Sequence, residues 1–174
     1  MEYSATGTTG LKQFLREFKD FVVVAAGMTF LLTCVFSINK VPSGSMEPTV
    51  KTGSYILNWR LPFFLSDPVP DHGDIIVFQS NDGGRLLLKR VIGLPGDHIA
   101  LEYGYVYLNG EKLDEPYVKK QGTTSGTVTE YDVPEGSLFV LGDNREESKD
   151  SRYMANNYVP VSSVQAKNIF IFNR

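Results

Sequence analysis

Residues 21–38, FVVVAAGMTFLLTCVFSI, contain no charged side chain. A run of about 18 apolar residues is close to the minimum that crosses the hydrocarbon core of a bilayer as a helix. It lacks the polar face that a helix packed on one side of a soluble core would carry. We read it as a single transmembrane helix. A cleaved secretory signal is the competing reading, but about 20 residues precede the run and no convincing small-x-small cleavage site follows it. Lys12, Arg16 and Lys19 lie just before the span, which favours a cytoplasmic N-terminus, although Glu17 and Asp20 dilute the local charge. The expected organisation is a cytoplasmic segment over residues 1–20, the helix over 21–38 and an extracytoplasmic domain over 39–174.

A chain of 174 residues leaves room for one modest domain beyond such a span. Its net charge of -3 sets nucleic acid aside as a partner, since that class calls for a basic face. Cys34 is the only cysteine and lies inside the apolar run, so no intrachain disulfide supports the fold.

After Lys40 the pattern changes to short apolar runs broken by Gly, Pro, Asn and Asp, the mark of a mainly β domain. GSYILNW, GDIIVFQ, RLLLKRVIG, HIALEYGYVYLNGEKL and GSLFVLGDN each read as a strand followed by a turn. Asn109-Gly110, between YGYVYL and EKL, is the strongest local signal for a tight hairpin. Residues 118–131, VKKQGTTSGTVTEY, are polar and rich in Gly and Thr, which suits an exposed loop or a ragged edge strand. Residues 96–138 are expected to form a smaller inserted β subregion carrying that hairpin.

The stretch PSGSMEPT, residues 42–49, offers two serines immediately after the span. Serine is a weak nucleophile until a base takes its proton. The two histidines both sit beside turns, His72 in PDHGD and His98 after LPGD, and position gives neither a catalytic role. Lysine is protonated at neutral pH at its ordinary pKa of about 10.4. Burial changes that, because removing an ammonium from water penalises the charged form. Lys89 in LLLKRVIGLPGD is the candidate: on a strand, Leu87, Lys89 and Val91 share one face while Leu88 and Arg90 share the other. The competing reading is a lysine that snorkels its ammonium to solvent. The strand pattern alone leaves both open, just as PSGSMEPT alone reads as a turn and GDNREESKDSR, residues 142–152, as a solvated charged loop.

Taken together, PSGSMEPT, GDIIVF, KRVIGLPGD and GDNREESKDSR resemble, in order and spacing, the motifs of bacterial type I signal peptidases, which are serine/lysine proteases. The resemblance runs from the span to near the C-terminus and is closest to the short, single-span Gram-positive form. It implies a mainly β fold: one N-terminal transmembrane helix, then a β-rich signal-peptidase-type catalytic domain with a small inserted hairpin region. The hairpin segment YVYLNGEKLDEPYV is similar to one that family members carry between the lysine and final motifs.

Carried over by position, the resemblance makes Ser45, the serine before Met46, the nucleophile and Lys89 the general base. Ser43 matches the residue whose hydroxyl joins the Ser45 N–H in an oxyanion hole, a donor pair aimed at charge developing on the scissile carbonyl. Ser148 matches a serine that hydrogen-bonds the lysine amine; Asp150 and Arg152 match a structural pair, and Asp143 is expected to partner Arg90. Val41, Pro42, Val50, Leu87 and Leu88 are expected to line shallow pockets for small residues at positions -1 and -3 of a signal peptide. Asn39 departs from the family, where an apolar residue is frequent at this position.

The implied activity is removal of signal peptides from secreted preproteins at the outer membrane surface, near the secretion translocon, with the lipid bilayer as a second partner and no metal or organic cofactor. Trp59, Phe63 and Phe64 in NWRLPFFL are candidates for the membrane interface, with a packed loop as the alternative. A non-catalytic relative that assists assembly of surface proteins or pili is the reading from another class. Such a protein has no need of a nucleophile and a base. A self-cleaving serine/lysine repressor would need a DNA-binding segment where this chain has its span, and a peptidase dedicated to few substrates shares the same chemistry.

Overall fold

The computed structural model describes residues 7–80, 83–118 and 128–173. The apolar run forms most of the second half of helix α1, Gly7–Phe30, which widens into a single π-helical stretch at Leu31–Val35. Of this, Gly10–Val35 is 26 residues long and apolar enough to cross a membrane. At 1.5 Å per residue it extends about 39 Å, more than a hydrocarbon core requires.

The helix differs from the sequence expectation at both ends. It already includes Lys12, Arg16 and Lys19, and it stops before residues 36–38, which open strand β1, Phe36–Lys40. The reason is tertiary pairing. Strand β1 runs antiparallel to β2, Tyr55–Trp59, with Phe36 opposite Trp59 and Ile38 opposite Leu57. An apolar residue suits a span and an edge strand equally, so hydropathy alone runs past the junction.

A short helix α2, Leu61–Leu65, follows, then β3, Ile75–Gln79, and β4, Leu86–Gly93. Strands β5, His98–Glu102, β6, Tyr105–Leu108, β7, Glu111–Lys112, and β8, Thr129–Asp132, come next. The chain ends with β9, Ser137–Leu141, β10, Val159–Pro160, a 3-10 turn at Val161–Ser163 and β11, Val164–Phe172. They form a seven-stranded sheet ordered β1-β2-β11-β3-β4-β9-β10 and a four-stranded sheet ordered β7-β6-β5-β8. All pairings are antiparallel, as expected for hairpin-connected strands.

The small sheet falls within residues 96–138. Its Asn109-Gly110 turn joins Leu108 to Glu111 with φ of 52° and 85° at the two turn residues. Positive φ at both positions is what a type I′ hairpin demands, and Asn-Gly supplies it at low cost. Of the segment 118–131, residues 119–127 lie outside the described residues, and Thr129 to Tyr131 belong to edge strand β8.

Two apolar clusters lie along the large sheet, one around Ile76, Phe78, Val91 and Val140, the other around Val41, Met46, Val50 and Ile56. A third joins the two sheets through Ile92, Ile99, Val106, Phe139 and Leu141. Phe139 of β9 is fully buried there, its ring 4.7 Å from that of Tyr131 on β8. Phe139→Ala is therefore expected to destabilise the domain by roughly 3–5 kcal/mol, the cost of a large buried ring replaced by a cavity. Denaturant unfolding of the variant beside wild type measures it.

Candidate active site

Strand β4 carries Lys89 between β3 and β9, opposite Ile76. Ser45 stands in the turn that follows β1 and is held from two sides. The turn's own bonds run from Glu47 N–H to the Gly44 carbonyl and from Val50 N–H to the Met46 carbonyl. From the loop after β9, Asn144 donates its backbone N–H to the Ser45 carbonyl at 3.1 Å and its side-chain amide to the Gly44 carbonyl at 3.0 Å.

These anchors bring Lys89 Nζ to 2.8 Å from Ser45 Oγ, with both side chains buried. In the protonated state the amine donates to the hydroxyl; once neutral, its lone pair can accept the hydroxyl proton along the same line. Burial is the main cause that lowers the Lys89 pKa from 10.5 to about 8, against the attraction of Asp150 and Asp143 and with help from Arg152. The snorkelling alternative fails because only 3% of the residue is exposed.

The two histidines are engaged elsewhere. His72 Nε2 pairs with Asp97 at 2.6 Å and His98 Nδ1 with Asp132 at 2.7 Å, both at the surface.

Ser43 Oγ lies 3.5 Å from Ser45 Oγ, at the mouth of the site. The Ser45 N–H donates to no acceptor among the described residues. One free N–H and one neighbouring hydroxyl are thus available to an oxygen held at Ser45.

Asp143 accepts from Arg90 Nε at 2.9 Å and Nη2 at 2.6 Å, and also from the Thr49 hydroxyl, so one carboxylate ties the serine turn to β4. Asp150 accepts from Arg152 Nε and Nη2 at 2.8 and 2.9 Å and from the Gly142 N–H at 2.9 Å. Both pairings match the sequence expectation. Burial pulls the Arg90 and Arg152 pKa values down, but their hydrogen bonds to Asp143 and Asp150 more than offset this and hold both above the usual arginine range.

Two expectations are corrected. Ser148 makes no bond to Lys89: its buried hydroxyl has no partner among the described residues. It packs instead against Gly142, where an added Cβ would lie 2.2 Å from Ser148 Oγ and 2.5 Å from the Ser45 carbonyl oxygen. Val50 does not line the groove at Ser45 and Lys89; it is fully buried in the core with Met46 and Ile56.

The other four expected pocket residues, Val41, Pro42, Leu87 and Leu88, line a largely apolar groove of about 410 Å³ that ends at Ser45 and Lys89. Ile56, Val77, Arg85, Leu86, Asn39, Lys40 and Ser43 complete its walls. Sequence reasoning missed the first four of these, because they reach the groove from strands or strand ends that pair only in the folded sheet. It also missed Glu115, whose buried carboxylate pairs with Arg145, and Tyr117, whose ring lies 3.8 Å beneath the Arg90 guanidinium. Arg145 in turn donates to the Gly142 carbonyl at 3.0 Å. A glutamate 30 residues from its partner leaves no local signal.

Residues 15–173 match the family described as signal peptidase, peptidase S26. The chain belongs to that family. Signal peptidase I of Bacillus caldolyticus is 38% identical over 164 residues, covering 87% of this chain and 87% of that protein. Signal peptidase I U of Bacillus subtilis is 38% identical over 144 residues, covering 75% of this chain and 73% of that protein. This chain spans 60% of the length of the Synechocystis protein named "Probable signal peptidase I-2", with 36% identity. The crystal structure of a signal peptidase I from Enterococcus faecalis V583 superposes with a TM-score of 0.50 at 36% identity, over 59% of this chain and 98% of that one. The β-rich fold is that of a signal peptidase, and the protein is a serine peptidase of the bacterial type I group.

In this signal peptidase fold, Gly142 passes so close to the Ser45 backbone that no side chain fits between them. Gly142→Ala is expected to push the loop away from Ser45, lowering turnover by about a hundredfold and stability by roughly 1–3 kcal/mol. Parallel unfolding and single-turnover assays on the purified chain separate the two effects.

Proposed function

We propose that this chain is a membrane-bound endopeptidase that removes N-terminal signal peptides after small residues at -1 and -3, using Ser45 and Lys89 as its dyad. The observation that carries the reading is the buried 2.8 Å contact between Lys89 Nζ and Ser45 Oγ at the end of an open apolar groove. A non-catalytic assembly role gives no reason to keep a buried amine against a serine.

Neutral Lys89 accepts the Ser45 proton as Oγ attacks the carbonyl carbon of the -1 residue. The electron pair displaced onto the carbonyl oxygen is held by the Ser43 hydroxyl and the Ser45 N–H. Collapse of that intermediate breaks the C–N bond, and Lys89 returns its proton to the leaving amine. A water then gives a proton to neutral Lys89 as its oxygen attacks the ester carbonyl. The C–O bond to Ser45 breaks, Lys89 passes that proton to the departing Oγ, and the freed acid ionises to the signal peptide's carboxylate by releasing a proton to solvent. Every step draws on side chains of this protein.

Membrane attachment follows from the geometry of the tether. Ten residues separate the last helical residue, Val35, from Ser45, a reach of no more than about 33 Å. The nucleophile is thereby confined near the surface from which an anchored signal peptide emerges, and tethering both partners raises their effective concentration. Lys12, Arg16 and Lys19 in the N-terminal part of the helix support an orientation with the N-terminus in the cytoplasm and the peptidase domain outside, where a preprotein leaving the translocon would meet it. Trp59 and Phe64 are 40% and 65% exposed, which suits contact with the outer interface, whereas Phe63 packs against the core.

The test is cleavage of a preprotein with an Ala-x-Ala site by the detergent-solubilised chain. Ser45→Ala and Lys89→Ala should each lower kcat/KM by at least about a thousandfold, and Ser43→Ala by roughly a hundredfold. Because the base must be neutral, wild-type kcat/KM should rise about tenfold per pH unit below a midpoint near 8 and level off above it. Full turnover by Ser45→Ala or Lys89→Ala overturns the assignment.

A further inference from the structure

Asn39 sits at the end of a directional chain of amides. Asn168 Nδ2 donates to Asn58 Oδ1 at 3.2 Å, and Asn58 Nδ2 donates to Asn39 Oδ1 at 2.9 Å. Ser37 Oγ also donates to Asn39 Oδ1, at 3.1 Å. The first two amides link neighbouring strands: Asn168 of β11 and Asn58 of β2 are paired directly, and Asn58 is fully buried. Each amide passes a donor to the next. Both donors that reach Asn39 fall on its oxygen, which fixes the amide orientation, because a flip would turn its NH2 group against the Asn58 NH2.

The terminal donor, Asn39 Nδ2, has no partner among the described residues and is not sealed from solvent. Asn39 lines the same groove as Ser45 and Lys89. On β1 it stands opposite Ile56 of β2, another groove residue. Beside the charged Lys40 and Arg85, the groove wall therefore carries an oriented neutral hydrogen-bond donor, polarised by the amides behind it.

We infer that Asn39 is a specificity-determining residue that favours substrates carrying a hydroxyl side chain, threonine or serine, at -3. The inference rests on the endopeptidase reading above. Side chains at -1 and -3 of an extended peptide face the same way, about 7 Å apart. With -1 at Ser45, the -3 side chain lies further along the groove, where the Asn39 amide meets an oxygen acceptor but gains nothing from a methyl group. The groove is open, so the discrimination is that of one ordinary neutral hydrogen bond, a factor of roughly 2 to 12.

Threonine and valine isolate this effect, since they differ by a hydroxyl for a methyl. Two otherwise identical preproteins with alanine at -1, one with threonine and one with valine at -3, compete for the detergent-solubilised full chain. Wild type is expected to favour threonine by about fivefold in kcat/KM, and Asn39→Leu to lose or reverse that preference. A competition ratio does not depend on how much of the variant is folded, so a purely structural role for the amide chain would leave it unchanged. A wild-type ratio at or below one, or the same ratio in Asn39→Leu, overturns the inference while cleavage itself stands. Failure of wild type to cleave either substrate or an Ala-x-Ala parent overturns the endopeptidase reading and this inference with it.

Discussion

The rest of the site depends on keeping the Lys89 amine out of water. With its pKa lowered from 10.5 to about 8, the burial costs on the order of 3 kcal/mol whenever the group is protonated. The unfolded chain binds this proton more tightly than the folded one. Between about pH 8 and 10.5 the unfolded state therefore holds the extra proton, and the group's contribution to stability rises with pH across that window. A strand at the sheet's interior supplies the rigidity that this requires. Lys89 is paired through β4 to Ile76 of β3, and only 3% of the residue is exposed, so its ammonium stays withdrawn from water.

The carboxylates around the amine are arranged to limit their pull on it. Asp143 and Asp150 both favour the charged lysine, and either one left without a partner would raise its pKa further. Each is instead held by two bonds from its own arginine, Arg90 or Arg152, and the Arg152 charge itself lowers the Lys89 pKa. The same ion pairs place the serine turn and the final loop. Asp143 reaches Thr49 next to the nucleophile, and Asp150 fixes the Gly142 N–H against Ser45. Through Glu115 and Tyr117 the segment that follows β7 joins this network at Arg145 and Arg90, so it braces the site.

Much of this was legible in the sequence, and the limits have physical causes. The Asn109-Gly110 hairpin was visible because a type I′ turn has few acceptable residues. Lys89 and Ser45 were readable as partners only through the resemblance, since alternation on a strand does not separate a buried lysine from a snorkelling one. The helix end is not legible because Phe36, Ser37 and Ile38 carry no charge and serve a sheet edge as well as a span. Val50 belongs to the core and not to the groove, a distinction the sequence does not make, because an apolar side chain five residues after the nucleophile suits either place. Ser148 was expected on the amine, but the close approach at Gly142 turns its hydroxyl to packed backbone instead. Asn39 was recognised as unusual, whereas the amide chain behind it depends on strand order, which no local pattern encodes.

The central claim is that Lys89 is a neutral base within reach of physiological pH. An NMR titration of the full chain in detergent micelles, with lysines labelled at Cε and Lys89→Met used to assign the resonance, tests it most directly. A Lys89 midpoint near 8 is the result this structure predicts. A midpoint near 10.5, the value of a solvated lysine, would contradict it.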